Sequence, residues 1–311
     1  MLSFIVRRLL QTIPIILAVA LLIFVMFSVI PGTFASSMGD DGRGMLDAQV
    51  MERMNKEFGL ADPVYVRFGK YVWQLAHFDL GMSFRTRQPV SSVLADRMWP
   101  TLQLSFAAML FSIVIGVPLG FIAALKPGSI IDTASMVGAV SGLSLPKFWL
   151  GLLLMYLFAL KLGWLPSFGY GSGGLRNLTL PAIALGVAPL ALLARTTRAA
   201  VLEIMNADFV RTARSKGMSE RRVVQWHLAR NALVIVLTTI GLQFGTVIGQ
   251  AVVVEKLFAW PGLGSLLVDS VTLRDIPVVQ GAILLIVLFF LLVNMLVDVL
   301  CAIIDPRIKY T

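Results

Sequence analysis

The sequence predicts an all-α integral membrane protein with six spans. Hydrophobic residues make up 58% of the 311 residues and charged residues only 14%, whereas about 25% of residues are charged in a typical soluble domain. Uncharged runs of the roughly 20 residues needed to cross a bilayer recur along the chain. The predicted spans are 9–30, 98–125, 133–160, 177–194, 231–254 and 276–297.

Two of these spans have an irregular feature. The third contains one charged residue, Lys147, directly after Pro146, and because proline interrupts a helix we expect one long span that is kinked or broken there. The first follows Arg7 and Arg8, as a secretory signal would. Its apolar run is longer than the 7 to 15 residues of a signal core, which favours a span that is kept.

Basic residues in the short loops predict the orientation of the chain. Six spans place both termini on one side, and an excess of Lys and Arg marks the cytoplasmic side. The loops and tails on the N-terminal side hold thirteen basic residues: Arg7, Arg8, Lys126, Arg195, Arg198, Arg211, Arg214, Lys216, Arg221, Arg222, Arg230, Arg307 and Lys309. The short loops on the other side hold only Lys161, Arg176, Lys256 and Arg274. We therefore expect cytoplasmic termini, and topology with anionic lipid accounts for the net charge of +9 without nucleic acid.

The segment 31–98 is the largest part of the chain outside the predicted spans, and we expect it on the outer side. Apolar residues at helical spacing predict two short amphipathic helices, at 50–60 and 63–78, the second with its aromatic residues on one face. The stretch 79–90 predicts extended or turn structure. His77 lies among aromatic residues, so we expect it to be packed rather than bound to a metal. The segment is predicted to cap the membrane bundle.

A polar and basic segment, 195–231, separates the fourth span from the fifth. Asp208 is expected to cap a helix that starts at Phe209, and Gly217 to end that helix in the left-handed conformation. Ser219 is expected to cap the helix that follows. From Phe209 to Lys216 the first helix would be about 12 Å long. The pattern predicts a short, rigid helix on the cytoplasmic side.

The sequence lacks the common motifs for catalysis, nucleotide binding and metal binding. It has no G-x-x-x-x-G-K-[ST] phosphate loop and no H-E-x-x-H zinc motif, and neither histidine lies in a predicted span. Gly169, Gly171 and Gly174 match G-x-G-x-x-G, but no strand precedes them, as a dinucleotide site requires. Cys301 is the single cysteine, which excludes an internal disulfide or a thiolate cluster. We expect no catalytic residue and no metal site.

Polar residues inside the predicted spans are candidates for a translocation path. Asp298 lies in the last span with Asn294 one turn earlier, and this pair either serves a path or forms a hydrogen bond between packed helices. Gln243 and Gln250 are seven residues apart, hence on one face of the fifth span, with the same two alternatives. Glu255, beside Lys256, is expected at the outer interface, where water solvates a charge cheaply.

Glycines four residues apart predict close packing of the helices, because small residues let two backbones approach each other. Such spacing occurs at Gly116 with Gly120, at Gly138 with Gly142, and at Gly241 with Gly245 and Gly249. The pattern predicts tight contacts, within the chain or with another subunit, and carries no information on cargo.

Four stretches of the chain together indicate a family. They are RRLLQTIPIILAVALLIF in the first span, FGLADPVYVRFGKYVWQL with DLGMSFRTRQPV in the outer segment, DFVRTARSKGMSERRVVQWHLARNAL, and VVVEKLFAWPGLGSLLVDSVTLRDIPVVQG. In this order they resemble the membrane permease subunits of bacterial ABC importers for peptides and nickel, in particular the first permease of the dipeptide, oligopeptide, glutathione and nickel systems. The resemblance implies a six-span ABC importer (type I) permease bundle. We divide the chain into 1–30, the outer segment 31–98, and a five-span core 99–311 that contains the coupling segment 195–231.

The resemblance implies that the short cytoplasmic helix is a coupling helix, which docks into a groove on a separate ATPase subunit. Arg211, Arg214 and Lys216 would offer charge-assisted contacts, while Phe209 and Ala213, four residues apart, would form a small apolar face. The residues assigned to ATPase coupling are Asp208, Phe209, Arg211, Thr212, Ala213, Arg214, Lys216 and Gly217. The Glu-Ala-Ala signature of other ABC importer families is Thr212-Ala213-Arg214 here, so no glutamate contact is assigned.

The same resemblance implies the partners and the cargo. A homologous second permease would form a heterodimer with this chain, two ABC ATPase subunits would bind ATP and Mg, and an extracytoplasmic solute-binding protein would deliver the cargo. The chain would be a non-catalytic, multi-pass subunit of the bacterial cytoplasmic (inner) membrane, without a cofactor of its own. Its cargo would be peptides, glutathione or nickel chelates. The outer gate or binding-protein contact is expected at Trp260, Pro261, Gly262 and Gly264.

Two other classes of function stay open at this point. One is an ATP-independent secondary transporter in which Asp298 relays protons, and its transport would collapse with the proton gradient. The other is a membrane scaffold, which would tolerate the combined loss of Gln243, Gln250 and Asp298. Neither class explains a short, capped, basic helix between the fourth and fifth spans.

Overall fold

The computed structural model describes residues 2–29, 62–171 and 173–304. All regular structure in this part is helical, apart from one isolated bridge between Met82 and Pro89. Five of the helices are long and apolar enough to cross a membrane, and a bent pair of helices supplies a sixth candidate span. The prediction of an all-α membrane protein is confirmed, while the predicted outer helix at 50–60 lies outside the described residues.

The helices are numbered here in chain order. They are α1 (Leu2–Val29), α2 (Val64–Ala76), α3 (Val90–Leu125), α4 (Ile130–Ser144), α5 (Lys147–Lys161), α6 (Leu175–Met205), α7 (Asp208–Ser215), α8 (Glu220–Leu257), α9 (Leu263–Thr272) and α10 (Ile276–Ile304). Both α5 and α8 include a π-helical segment, at Met155–Lys161 and Val223–Ala229. Several helices extend beyond the apolar runs that predicted them, because polar residues at the ends of a span can stay helical outside the hydrocarbon layer.

The predicted interruption at Pro146 is a break between two helices. The axes of α4 and α5 differ by 106°. Leu145 ends α4 with extended backbone angles, φ −79° and ψ 126°, because a following proline disfavours the helical conformation. Pro146 then precedes the first residue of α5, Lys147. The third predicted span is therefore two helices that meet at a sharp corner.

Three long helices, α3, α6 and α8, form the centre of the bundle. At Gly116 and Gly120 of α3, a Cβ atom would lie 2.7 and 2.2 Å from backbone oxygens of α6. On α8, a Cβ at Gly241 would lie 2.1 Å from the side chain of Val297 in α10. The close packing predicted from these glycines is confirmed within the chain. Gly138 and Gly249 instead face open space.

The largest buried cluster joins α3, α6 and α8 to the loop that follows α8. Its buried members are Leu104, Ala108, Met109, Leu178, Leu180, Ala182, Ala184, Leu185, Val247, Ala251, Val254, Phe258 and Trp260. Leu104, Leu185 and Trp260 have no exposed surface. Trp260 is thus part of the helix core although it lies in a loop.

Helix α2 packs against α1 through two of its aromatic residues. The rings of Phe68 and Tyr71 lie 5.2 and 6.1 Å from the ring of Phe24, and burial raises the pKa of Tyr71 to about 12. Tyr65 and Trp73 are 77% and 69% exposed. The predicted helix is confirmed, but the expectation of a single aromatic face is wrong, because only residues spaced to meet α1 turn inward.

His77 lies at the exposed C-terminal end of α2. Its ring is 4.5 Å from the ring of Trp73, and its Nδ1 is 2.8 Å from the carbonyl oxygen of the same residue. The histidine is therefore in contact with an aromatic residue, as expected, although it is not enclosed.

The stretch between α2 and α3 is held against the start of α10. The Ser83 hydroxyl donates to Asp275 at 2.6 Å, and the Phe84 amide donates to the same carboxylate at 3.1 Å. Asp275 is only 4% exposed, and two donors compensate for burying its charge. The described end of the outer segment is therefore attached to the bundle.

Candidate functional site

One side of the short helix α7 is anchored in the chain's own core. Val210 and Ala213, three residues apart, are 0% and 6% exposed. They form a cluster with Val223 and Leu228 of α8, and residues at this spacing share one side of a helix. The contact surface that holds α7 is therefore apolar and lies within this chain; we call it the α7 seat.

The other side of α7 is exposed. Exposed residues are Asp208, Phe209, Arg211, Thr212, Arg214, Ser215, Lys216 and Gly217. The Phe209 side chain is 47% exposed, and its ring lies 6.1 Å from that of His227. The predicted apolar pair of Phe209 and Ala213 on this side is wrong, because Ala213 points into the seat. The exposed side combines one aromatic ring with polar and basic groups.

The start of α7 differs from the prediction. Asp208 is the first helical residue and Ala207 occupies the N-cap position, with no side-chain hydrogen bond at the cap. The prediction that Asp208 caps the helix is therefore wrong. Its carboxylate still lies in the first turn, where it interacts favourably with the positive end of the helix. Ser219 precedes the first residue of α8, as predicted, but its side chain forms no capping hydrogen bond.

The end of α7 follows the prediction. Gly217 has φ +79°, in the left-handed region that glycine adopts without strain. Its amide donates to the Arg214 carbonyl at 2.9 Å, and the Met218 amide donates to the Ala213 carbonyl at 3.2 Å. These two bonds form a Schellman motif, so the chain reverses sharply at Gly217.

An ion pair spans the turn between α7 and α8. The Nε atom of Arg214 lies 2.8 Å from Glu220 Oε1, and its second guanidinium nitrogen lies 3.3 Å from Oε2. Sequence reasoning assigned Arg214 to a partner and missed this contact. Six residues separate the two side chains, so only the turn at Gly217 brings them together.

A second ion pair, also missed, joins the first turn of α4 to α6. Arg198 Nε and a terminal nitrogen lie 2.5 and 2.8 Å from the two oxygens of Asp132. The Gly128 amide donates to the same carboxylate at 2.9 Å, and Asp132 donates its own amide to the Ser129 hydroxyl at 3.2 Å. Ser129 followed three residues later by an acidic residue is the pattern of a capping box, which predicts the start of α4 but not the ion pair.

The four candidate path residues fall into two places. Gln250 is exposed on α8 and accepts a hydrogen bond from Lys147, while Gln243 is half-buried and accepts from Thr246 at 2.8 and 2.9 Å. Asn294 of α10 faces Gly245, on the side of α8 that packs against α10. Its Oδ1 is buried and has no partner among the described residues. Asp298 follows in α10, and its side chain lies outside the described part.

The loop after α8 is buried rather than free. Trp260 is fully buried, its indole donates to the Pro100 carbonyl at 2.8 Å, and its ring meets that of Tyr170 at 4.7 Å. Gly262 and Gly264 are buried and Pro261 is half-buried. Trp260 therefore attaches this loop to α3, while Gly262 and Gly264 pack against Glu255 of α8. We call the segment 258–264, which includes the first two residues of α9, the Trp260 loop.

Glu255 is the charged residue at the centre of this arrangement. It is fully buried, so the expectation that water solvates it is wrong. Its carboxylate accepts from the Thr101 hydroxyl at 2.6 Å, from the Ser265 amide at 3.0 Å and from the Gly264 amide. Two of these donors lie in the first turn of α9, where orphan amides favour an anion. A Cβ at Gly262 would lie 2.2 Å from the carboxylate.

Fold and site together define a class of protein. The chain is a multi-span helical membrane protein with a small, exposed, partly basic helix at one end of α8 and a buried polar fastening at the other. Within the described residues no group of three or more His, Cys, Asp or Glu side chains is placed to bind a metal ion. These features define a multi-span helical membrane protein with one short helix exposed at the end of its bundle.

Comparison with known proteins gives the family. Residues 116–310 match the model of the binding-protein-dependent transport system inner membrane component, and residues 1–105 match the model of its N-terminal region. The chain therefore belongs to this family. It is a permease subunit of an ABC importer and a multi-pass protein of the inner membrane.

Similar proteins cover the whole chain. A putative peptide transport system permease protein of Brucella abortus (strain 2308) is 44% identical over 316 residues, covering 100% of both chains. The glutathione transport system permease protein GsiC of Escherichia coli (strain K12) is 44% identical over 310 residues, again covering 100% of both. The fold is similar to a chain of the inward-facing MetNI methionine ABC transporter, with TM-score 0.58, 22% identity, and coverage of 68% and 96% of the two chains.

Proposed function

We propose that this chain and a homologous second permease form the translocation path of an ATP-driven importer for di- or oligopeptides or a related small solute. Two ABC ATPase subunits bind ATP and Mg beneath it, and an extracytoplasmic solute-binding protein delivers the cargo. Both termini lie in the cytoplasm. The chain itself supplies no catalytic residue and holds no cofactor.

The two-sided character of α7 carries this proposal. A partner's motion is transmitted only through contacts whose free energy differs between two states. The buried contacts of Val210 and Ala213 hold α7 on the bundle, and the Schellman turn at Gly217 holds its end. Its exposed side presents Phe209, Thr212 and the basic residues to an ATPase groove, so movement of the groove would move α8.

Peptides and glutathione are the proposed cargo. The names of the full-length relatives from Brucella abortus and Escherichia coli support this choice. The resemblance of the sequence adds nickel chelates as related solutes. These cargoes share a small size and polar groups, which a path lined by glutamine side chains would accommodate.

The path itself is proposed along α8. Gln243 and Gln250 form its polar strip, and Asn294, which faces Gly245 of α8, becomes accessible if α8 and α10 separate. Asp298, one turn further along α10, is proposed as a path residue from the sequence alone. The Trp260 loop closes the outer end, because its buried contacts tie α8 to α3. In this proposal Trp260, Pro261, Gly262 and Gly264 act as a rigid gate, and neighbouring surfaces meet the binding protein.

Purification from mild-detergent membranes with identification of the companions tests the assembly. We expect recovery of a second six-span permease and of P-loop ATPases. A photoreactive benzophenone maleimide attached at Thr212→Cys, with Cys301→Ser to remove the natural thiol, should cross-link to the ATPase. The same probe at the exposed Leu175→Cys, on the opposite side of the bundle, is the matched control and should not.

Two results would contradict the proposal. Recovery of this chain alone, under conditions that preserve another membrane complex, would favour an ATP-independent transporter and direct attention to Asp298. Equal ATPase cross-linking from Thr212→Cys and Leu175→Cys would remove the coupling role from α7.

A further inference from the structure

Lys147 carries a charge in an otherwise uncharged stretch of the chain. It is the only charged residue between Asp132 and Lys161, and it begins α5 at the 106° corner with α4. A charged side chain at membrane depth costs roughly 2.5 to 3.5 kcal/mol and usually faces a bundle interior or a water-filled cavity. Neither the exposed side of α7 nor the Trp260 loop contains this residue, so neither explains its charge.

The contact that Lys147 makes leaves its charge uncompensated. Its ammonium donates to the side-chain oxygen of Gln250 on α8. That oxygen belongs to a neutral amide, and none of the ion pairs among the described residues includes Lys147. An ammonium has three donors. The geometry therefore leaves positive charge and donor capacity for a further group.

The depth of the ammonium favours a solute over a lipid headgroup. Gln250 lies seven residues before the end of α8 at Leu257, which is about 10 Å at 1.5 Å per residue. A lysine that serves a lipid phosphate extends its ammonium out of the apolar region towards the headgroups, past the ends of the spans. Here the ammonium lies across the corner at the level of Gln250. Gly151, one turn further along α5, already packs against Leu257 and Phe258.

Open space adjoins this contact. Thr246, Gly249, Gln250 and Val253 are all exposed on α8, and a Cβ at Gly249 would meet nothing within 4 Å. Val253 lies three residues after Gln250 and shares its side of the helix. The opposite side of α8, which includes Val247, Ala251 and Val254, is packed against α3 and α6. A solute that moves along the exposed strip would pass the ammonium.

We propose that Lys147 and Gln250 form an anion-binding site in the membrane path, and that this site binds a carboxylate of the transported solute. The ammonium supplies a charge-assisted hydrogen bond, and the Gln250 amide holds the ammonium in place and adds an N–H donor. Peptides with a free C-terminus and glutathione both carry such a carboxylate. The identity of the bound solute rests on the proposed function, whereas the positive charge at Lys147 does not.

The first experiment needs no cargo. In membrane vesicles that contain the assembled complex with Cys301→Ser, the reporter Val253→Cys is treated with anionic sulfonatoethyl and cationic trimethylammonioethyl methanethiosulfonates. We expect Lys147→Met to lower the anion-to-cation ratio of reaction rates about tenfold, because it removes a nearby positive charge. Lys147→Arg should keep the ratio. The reporter Leu175→Cys should show the same ratio with each residue at position 147.

Two results of this experiment would overturn the proposal. If neither charged reagent modifies Val253→Cys, the strip faces lipid or a partner subunit rather than a water-filled path. If the reagents react but Lys147→Met leaves the ratio unchanged, the ammonium does not act on anions in the path.

The second experiment uses cargo. Uptake of a radiolabelled dipeptide and of glutathione should fall about tenfold with Lys147→Met and stay near the wild-type rate with Lys147→Arg, while recovery of the partner subunits stays unchanged. Undiminished uptake with Lys147→Met would overturn the carboxylate site. If the wild-type chain carries neither solute while the reagent ratio still depends on Lys147, the anion-binding site stands and the peptide assignment under the proposed function fails.

Discussion

The two ends of α8 use the same kinds of residue in opposite ways. At the α7 end, apolar side chains are buried and the charged residues, including the pair of Arg214 and Glu220, lie in solvent. At the Trp260 end one charged residue, Glu255, is buried and accepts hydrogen bonds from donors within the chain. At the first end the polar groups are exposed and available to another molecule, whereas at the second end the carboxylate of Glu255 is hydrogen-bonded within the chain. Substitutions should therefore affect function at the first end and folding at the second.

The largest effect is expected at Glu255. Glu255→Ala removes the acceptor of three buried donors, and each buried group left unpaired costs about 1 to 3 kcal/mol. We expect a loss of about 3 kcal/mol or more in the free energy of unfolding, read as a lower thermal midpoint in detergent. Lys256→Ala is the matched control, because its ion pair with Asp269 is exposed and worth at most about 1 kcal/mol. Equal midpoints for the two variants would remove the contrast between the two ends.

The next effect separates the two sides of α7. Val210→Asp places a charge in the fully buried seat, so we expect α7 to detach and both uptake and ATPase recovery to be lost. Phe209→Ala changes an exposed ring, so the free energy of unfolding should stay within about 0.5 kcal/mol of the wild-type value, while the recovery of the ATPase falls. If Phe209→Ala destabilises the chain as much as Val210→Asp, the exposed side is not a free surface.

A smaller effect is expected at the turn that ends α7. Gly217→Ile forces a β-branched residue into the left-handed region, at a cost of about 1 to 2 kcal/mol. Uptake should be abolished because the coupling helix is displaced, while membrane insertion is unchanged. Gly217→Asn is the control, since asparagine tolerates this conformation, and it should keep most of the uptake. Normal transport with Gly217→Ile would count against the coupling role.

Only a small change in stability is expected for a substitution in the exposed ion pair. Arg214→Glu should alter the free energy of unfolding by less than about 1 kcal/mol and still abolish uptake, because the proposed function places the basic group against the ATPase. Adding Glu220→Arg restores a pair of opposite charges within the chain but not the basic group at position 214. Recovery of uptake in this double variant would show that Arg214 acts through Glu220 and not through a partner.

Sequence patterns predicted the spans and the turn at Gly217 because these depend on local properties. Hydropathy over about 20 residues and a glycine after a short helix report on neighbours along the chain. The prediction failed at Ala213, Asp208 and Glu255. At Ala213 and Glu255 the environment is set by residues distant in sequence, such as the donor Thr101, 154 positions from Glu255. At Asp208 the helix begins one residue earlier than predicted.

By itself the sequence determined the class of the protein. The apolar runs are stable in lipid, and the short polar helix between two of them lies outside the hydrocarbon layer. Only the tertiary structure decided which polar groups are free. Packing of α3 against α8 buried Glu255, the turn at Gly217 paired Arg214 with Glu220, and the corner between α4 and α5 brought Lys147 to Gln250. The physical reason is that solvation and pairing of a charge depend on distances in space, which the spacing of residues along the chain does not specify.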